Sequence, residues 1–446
     1  MRTMLTSPLR RMPFVTITGA LLVIAYLLLR VILGIYEGYA NSFPDGWQFL
    51  DPLGMVVGRG KPWWLTIGVH LLLTFALVIV GVRRAMDAGW SPWMGALMAL
   101  PVVRLFVFTV LAMQPGAKHT HVLDLPREGW LGRILPRSKK GSAVAAVIFT
   151  TVIVIPFGFL SVEVLSDYGL ALFIGIPFLL GVVSSYILSY HQPSSMRESL
   201  GVATTTLFIV LVIIFLLAME GLICLVMAAP IAWAITLVGA LVGHALSRNE
   251  QGHAPAIGML VLITPSLMAF EALERTSAPL FSVVSAVHVN ATPQKVWNSL
   301  VTFSHMDDPT ELIFRAGISY PIEARITGTG AGACRYCQFN TGPFVEPITA
   351  WVEPELLAFD VAAFPPPMTE LSIYEHVNAP HIHGFFESHR GQFKLSAQPD
   401  GTTLLEGTTW YTHEIWPTWY WKIWSDNILH TIHGRVLEHI KAVAES

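Results

Sequence analysis

PTWYWKIWSDNILHTIHGRVLEHIKAVA, from Pro417 to Ala444, is the stretch whose reading decides the fold of the C-terminal part of the chain. At about 3.6 residues per turn, Trp421, Trp424, Ile428, Ile432, Val436, Ile440 and Val443 share one stripe, as in a helix laid on a sheet. His439 falls in the middle of that stripe and is expected in the core. On one flank, Asp426, His430 and His433 follow at spacings of four and three, which makes them neighbours. Two readings are open: an acid–base site in which Asp426 orients an imidazole, or an ordinary boundary between buried and wet faces. A metal wants a third or fourth protein ligand, which one helix does not supply. No metal and no other cofactor is expected.

Upstream of this helix the pattern is short strands. FSVVSAVHV (Phe281 to Val289) reads as a strand, and TPQKVWNSLV as a helix with Thr292 as N-cap and Pro293 at its first position. ARITGTGAGACRYCQF, FVEPITAWV and LLAFDVA then read as strands with turns at Gly328 to Gly332, Gly342-Pro343 and Glu353-Pro354. After the Pro-rich loop Phe364 to Met368, Phe385 to Ser396 and Thr402 to His413 pair as a hairpin around Asp400-Gly401. Strand, helix, several antiparallel strands and one long helix is an α+β order whose sheet must curl about that helix to bury its stripe. Cys334 and Cys337 are three apart on a strand and point to opposite faces. With Cys224 they make no disulfide framework.

The rest of the chain is of another kind. The 446 residues are 53% hydrophobic and only 13% charged, with a mean hydropathy of +0.56, which places much of the chain in a membrane. From Leu280 onward there are nine Lys and Arg against 17 Asp and Glu, while the preceding part has 18 against 13. That balance offers no basic patch for a nucleic acid. Behind Arg2, Arg10 and Arg11, the run Phe14 to Leu33 reads as an anchor with no cleavage site after it. Further runs are Trp63 to Val82, Pro92 to Met113, Ala143 to Val162, Leu170 to Tyr190, Leu200 to Ala218, Leu222 to Val242 and the shorter Ala256 to Phe270, for seven or eight spans. Glu220 and Gly221 mark a turn in the long run from Leu200 to Val242. Arg104, near mid-span, is either functional or turned to a neighbouring helix. The basic clusters conflict under the positive-inside rule, leaving the side of the soluble domain open, with the cytoplasmic side favoured. The expected division is 1–116 and 117–274 in the membrane and a soluble domain at 280–446.

Arg83, Arg84, Asp87, Gly89, Ser91 and Trp93 in VRRAMDAGWSPW resemble the R-R-L-H-D-x-G-x-S-G-W hallmark of a family of small bacterial inner-membrane proteins of unknown function, over Phe14 to Gly116. Ala85, Met86 and Pro92 depart from it. ATPQKVW (Ala291 to Trp297), the glycines from Gly328 to Gly332, EGTTW (Glu406 to Trp410) and the long last helix resemble the START-like, helix-grip (SRPBCC) superfamily, which includes polyketide cyclases and lipid-transfer domains. This resemblance implies an apolar cavity between sheet and closing helix, with Trp297, Phe339, Trp351, Phe359, Phe386, Trp410 and Trp424 as candidate lining; His376, His381, His383 and His389 belong either to its mouth or to a surface loop where they are solvated. It implies a membrane-tethered module for a lipid or other hydrophobic small molecule. A cyclase- or hydrolase-like enzyme using Asp426 with His430 or His433 is the alternative, and a ligand sensor or assembly module a third, since fold alone does not choose.

Overall fold

Pro101 marks a break in one of the apolar runs. In the computed structural model, which describes residues 8–37, 64–100, 103–114, 116, 130–248, 254–273, 278–370, 374 and 386–446, the run Pro92 to Met113 is not one span. It forms a short helix Pro92–Ala96, a 3-10 turn Leu97–Ala99 and a separate helix Val103–Met113. Leu100, at φ −79° and ψ 119°, is extended, because the ring of a following proline clashes with a helical residue before it.

Among the described residues six helices are long and apolar enough to cross a membrane: Arg11–Leu29, Ile67–Asp87, Lys139–Val164, Ala171–Leu188, Met196–Leu216 and Leu222–Arg248. Val103–Met113 and Ile257–Leu273 are shorter apolar helices. The long run around Glu220 divides between Leu216 and Leu222, where Ala218 takes a φ of 52°.

Arg84 of the R-R-x-x-D stretch is fully buried. It donates from Nε to the Leu111 carbonyl at 3.0 Å and from its other nitrogens to Asp87 and the Gln114 carbonyl. It therefore satisfies carbonyls left open at the end of the Val103–Met113 helix. Arg104 is buried and turned to the neighbouring helix, with Nη2 3.5 Å from Thr74 Oγ1. A Cβ at Gly181 would strike the Thr236 carbonyl, and one at Gly239 the Phe178 carbonyl. Only glycine permits that backbone approach between apolar helices.

The chain forms two compact units, Met1–Leu217 with Ala228–Thr276, and Ala218–Met227 with Ser277–Ser446. In the second, seven strands among the described residues form one antiparallel sheet: β1 Phe281–Val289, β2 Pro321–Thr327, β3 Cys334–Phe339, β4 Gly342–Val352, β5 Leu356–Asp360, β6 Phe386–Ala397 and β7 Thr403–His413. Their order is β1-β7-β6-β5-β4-β3-β2, so the first strand closes on the last. Pro293–Val301 and the closing helix Thr418–Glu445 pack on this sheet. The described residues thus comprise apolar helices long enough to cross a membrane, followed by a helix-grip domain.

The closing helix is turned differently from the expected stripe. Thr418, Trp421, Ser425, Leu429, His433, Val436, Leu437, Ile440 and Ala444 are buried, Trp424, Ile428 and Ile432 are half-buried, and Val443 is 36% exposed. Bulk had marked the stripe, but small Ser425 sits on the buried face with its hydroxyl donating to the Trp421 carbonyl at 3.1 Å. This rotation carries His433 into the interior. His439 is not a core residue: it is half-buried, its Nε2 2.9 Å from Ser304 Oγ and its ring 5.0 Å from that of Phe303.

Candidate binding cavity

Alternation along the strands sends Arg335, Cys337 and Phe339 of β3 to the same face as Glu346 of β4, opposite Arg335 in register. On β5 and β6, Leu357 faces Phe393 and Phe359 faces Gly391. The closing helix covers this face, and between them lies a cavity of about 140 Å³. Its walls include Phe339, Phe344, Phe359, Phe386 and Phe393 from the sheet side and Ile428, Ile432, Val436 and Leu437 from the helix. Arg335, Glu346, Cys337, Thr409 and His433 are among the polar or ionisable groups set into this surface, with Arg390 and Gln392 also in its lining.

Arg335 and Glu346 form an ion pair with side chains only 4% and 8% exposed. The guanidinium also lies 5.2 Å from the Phe359 ring centroid and 5.6 Å from that of Phe393. Burial pushes the Glu346 carboxyl above its ordinary range, and the neighbouring Arg335 pulls it back only in part. Burial raises the Cys337 thiol to about 12, which favours its protonated form at neutral pH. Cys334 lies on the other face of the strand, as the spacing predicts.

The flank of the closing helix is split between two networks. Asp426 accepts from Tyr411 Oη at 2.6 Å and pairs with Lys422. The imidazoles instead meet at Ser285 of β1, whose Oγ is 2.8 Å from His430 Nδ1 and 3.1 Å from His433 Nδ1. His433 Nε2 is 2.7 Å from Thr409 Oγ1. Asp426 therefore does not orient either histidine. Helical spacing made them neighbours, but strand residues that helical spacing does not reveal took up their polar atoms. His430 is exposed, while His433 is buried and its pKa is lowered by that burial to about 4.

Of the expected lining residues, Phe339, Phe359 and Phe386 line the cavity. Trp297 and Trp351 pack edge-on against each other at 5.6 Å, within and against the core. Trp410 lies beneath the Arg390 guanidinium at 4.4 Å; its neighbours Thr409 and Tyr411 take the face bonded to the closing helix. Trp424 is half-buried and outside the lining. His389 bonds Thr412 Oγ1 at 2.8 Å, and His376, His381 and His383 lie outside the described residues. Sequence reading missed Arg335 and Glu346. The available signal was parity: each charged residue shares its strand phase with apolar neighbours, Arg335 with Phe339 and Glu346 with Ile348. Among the described residues no three His, Cys, Asp or Glu side chains converge as metal ligands.

The strand order, the concave face and the covering helix define a START-like helix-grip fold. Solved structures similar to this chain include truncated norcoclaurine synthase from Thalictrum flavum, at 10% identity over 38% of this chain and 96% of that one, with a TM-score of 0.25. The Zhui aromatase/cyclase from Streptomyces sp. R1128 is 13% identical over 37% and 94%, with a TM-score of 0.24. The Aha1 dimer from Colwellia psychrerythraea is 12% identical over 36% and 96%, with a TM-score of 0.22. No family model and no curated protein matches the chain, so the likeness of Phe14 to Gly116 to small inner-membrane proteins stays a resemblance.

Proposed function

We infer that the C-terminal domain binds a lipid or other hydrophobic small molecule, and that the apolar helices tether it to a bacterial inner membrane, beside the phase in which such a ligand dissolves. The supporting observation is the phenylalanine-walled cavity with a buried ion pair set into it. Aliphatic side chains in place of that pair are often at least as stable, so charge retained in an apolar cavity fits a ligand with a polar group. An apolar cavity of about 150 Å³ holds roughly one benzene-sized ring. The part of the ligand that enters is therefore a single ring or a short acyl segment.

Gly391 gives the test. A Cβ there would lie 2.6 Å from the far edge of the Phe359 ring. Gly391→Val should drive that ring into the cavity at about 1 to 3 kcal/mol of strain, weakening a ring-sized probe such as para-nitrophenol by about tenfold or more. Equal Kd values by isothermal calorimetry for the wild type and a folded variant would remove the cavity as the binding site.

The division into 1–116, 117–274 and 280–446 is part of the same reading. Residues 280–446 expressed alone should give a monomer that unfolds in one cooperative urea transition, because the sheet and its closing helix share one core. Insoluble material under all conditions would count against that boundary.

A further inference from the structure

On the wall formed by β1, β7 and the closing helix, a continuous chain of hydrogen bonds leads from the cavity to solvent. Thr409 and His433 line the cavity, and Thr409 Oγ1 is 2.7 Å from His433 Nε2. His433 Nδ1 is 3.1 Å from Ser285 Oγ, which is 2.8 Å from Nδ1 of the exposed His430.

A hydroxyl has one hydrogen to donate and a neutral imidazole has one N–H. Ser285 touches two imidazole nitrogens and donates to one, so the other must donate to it. If Ser285 donates to His430, His433 carries its hydrogen on Nδ1 and accepts from Thr409 at Nε2, and every bond points outward. If His430 donates to Ser285, every bond points inward. The same four groups thus have two complementary arrangements, which differ by the passage of one proton along the chain.

We propose that Thr409, His433, Ser285 and His430 form a proton relay that exchanges the proton of a weakly acidic ligand hydroxyl, such as a phenol, between the cavity and solvent. The ligand O–H breaks as Thr409 Oγ1 takes its proton. The Thr409 proton passes to His433 Nε2, the Nδ1 proton of His433 to Ser285, and that of Ser285 to His430 Nδ1. The resulting His430 imidazolium releases its Nε2 proton to water. The ligand becomes a phenolate in the cavity that Arg335 also lines, and nothing is oxidised or reduced. His433 stays neutral at rest because burial holds it near 4, which suits a group that passes a proton on and does not keep it.

This rests on the reading of the cavity as a ligand site, so the experiment reads binding and proton transfer separately. The full-length protein in detergent is loaded with para-nitrophenol, its Kd is measured, and a stopped-flow pH jump follows the phenolate absorbance of the bound probe. His430→Phe and Ser285→Ala are each expected to slow that change by about a hundredfold, with Kd near the wild-type value. Should Ser285→Ala fail to fold, His430→Phe, at the exposed end of the chain, carries the test. Wild-type rates in folded His430→Phe overturn the relay alone. Absence of probe binding to the wild type overturns the ligand-site reading, and the relay with it.

Discussion

Glu346→Leu is expected to cost about 3 to 5 kcal/mol of folding free energy, the range for breaking a buried pair by removing one partner. The effect arises because Arg335 is then left as an uncompensated cation. Its guanidinium does not shed its proton in a protein, its side chain is only 4% exposed, and the rings of Phe359 and Phe393 offer far less than a carboxylate. Arg335→Met should cost less, because Glu346 can take a proton and become neutral, and burial already pushes its carboxyl in that direction. Replacing both together, Arg335→Met with Glu346→Leu, should recover much of the loss, since two charges no longer have to be desolvated. Urea unfolding of residues 280–446 gives all three values. A double variant less stable than Glu346→Leu alone would show that the pair is held by more than mutual compensation.

That pair also shows where sequence reading stops. The bounds of β1, of the short helix after it and of the closing helix were legible almost to the residue, because strand alternation, the Pro293 helix start and helical periodicity each have a local cause. The face to which Arg335 points depends on the pairing of β3 with β4, and a charged residue in a strand is by default placed outward. The aromatic candidates divide for the same reason. Phe339 and Phe359 are in the inward phase, whereas Trp410 sits between Thr409 and Tyr411, which take the face bonded to the closing helix. Trp297 and Trp351 were marked by size, and size serves a core as well as a cavity. The Asp426, His430 and His433 flank was adjacent as helical spacing requires. Ser285, Thr409 and Tyr411, which decide what those groups do, come from β1 and β7, and local spacing does not reveal them.

Acid should destabilise the C-terminal domain well before its carboxylates are all protonated. His413 and His433 are 3% and 9% exposed, and burial lowers each from an ordinary 6.5 to about 4. In the unfolded chain both bind a proton near their ordinary value, so between about pH 6.5 and 4 the unfolded state holds more protons than the folded one. Stability therefore falls as pH falls through that window. At about pH 5 the loss is about 2 kcal/mol for each histidine. Glu346, raised by burial, works in the opposite sense, since the folded state takes up its proton first. It offsets part of the loss. The His413 ring stacks on Phe281 with centroids 5.2 Å apart, a position that phenylalanine can fill, so His413→Phe should remove about half of the histidine-dependent loss. The measurement is the urea midpoint of residues 280–446 between about pH 7 and 4.5. A midpoint that does not move, or one that moves equally in His413→Phe, would mean that these imidazoles meet water in the folded state.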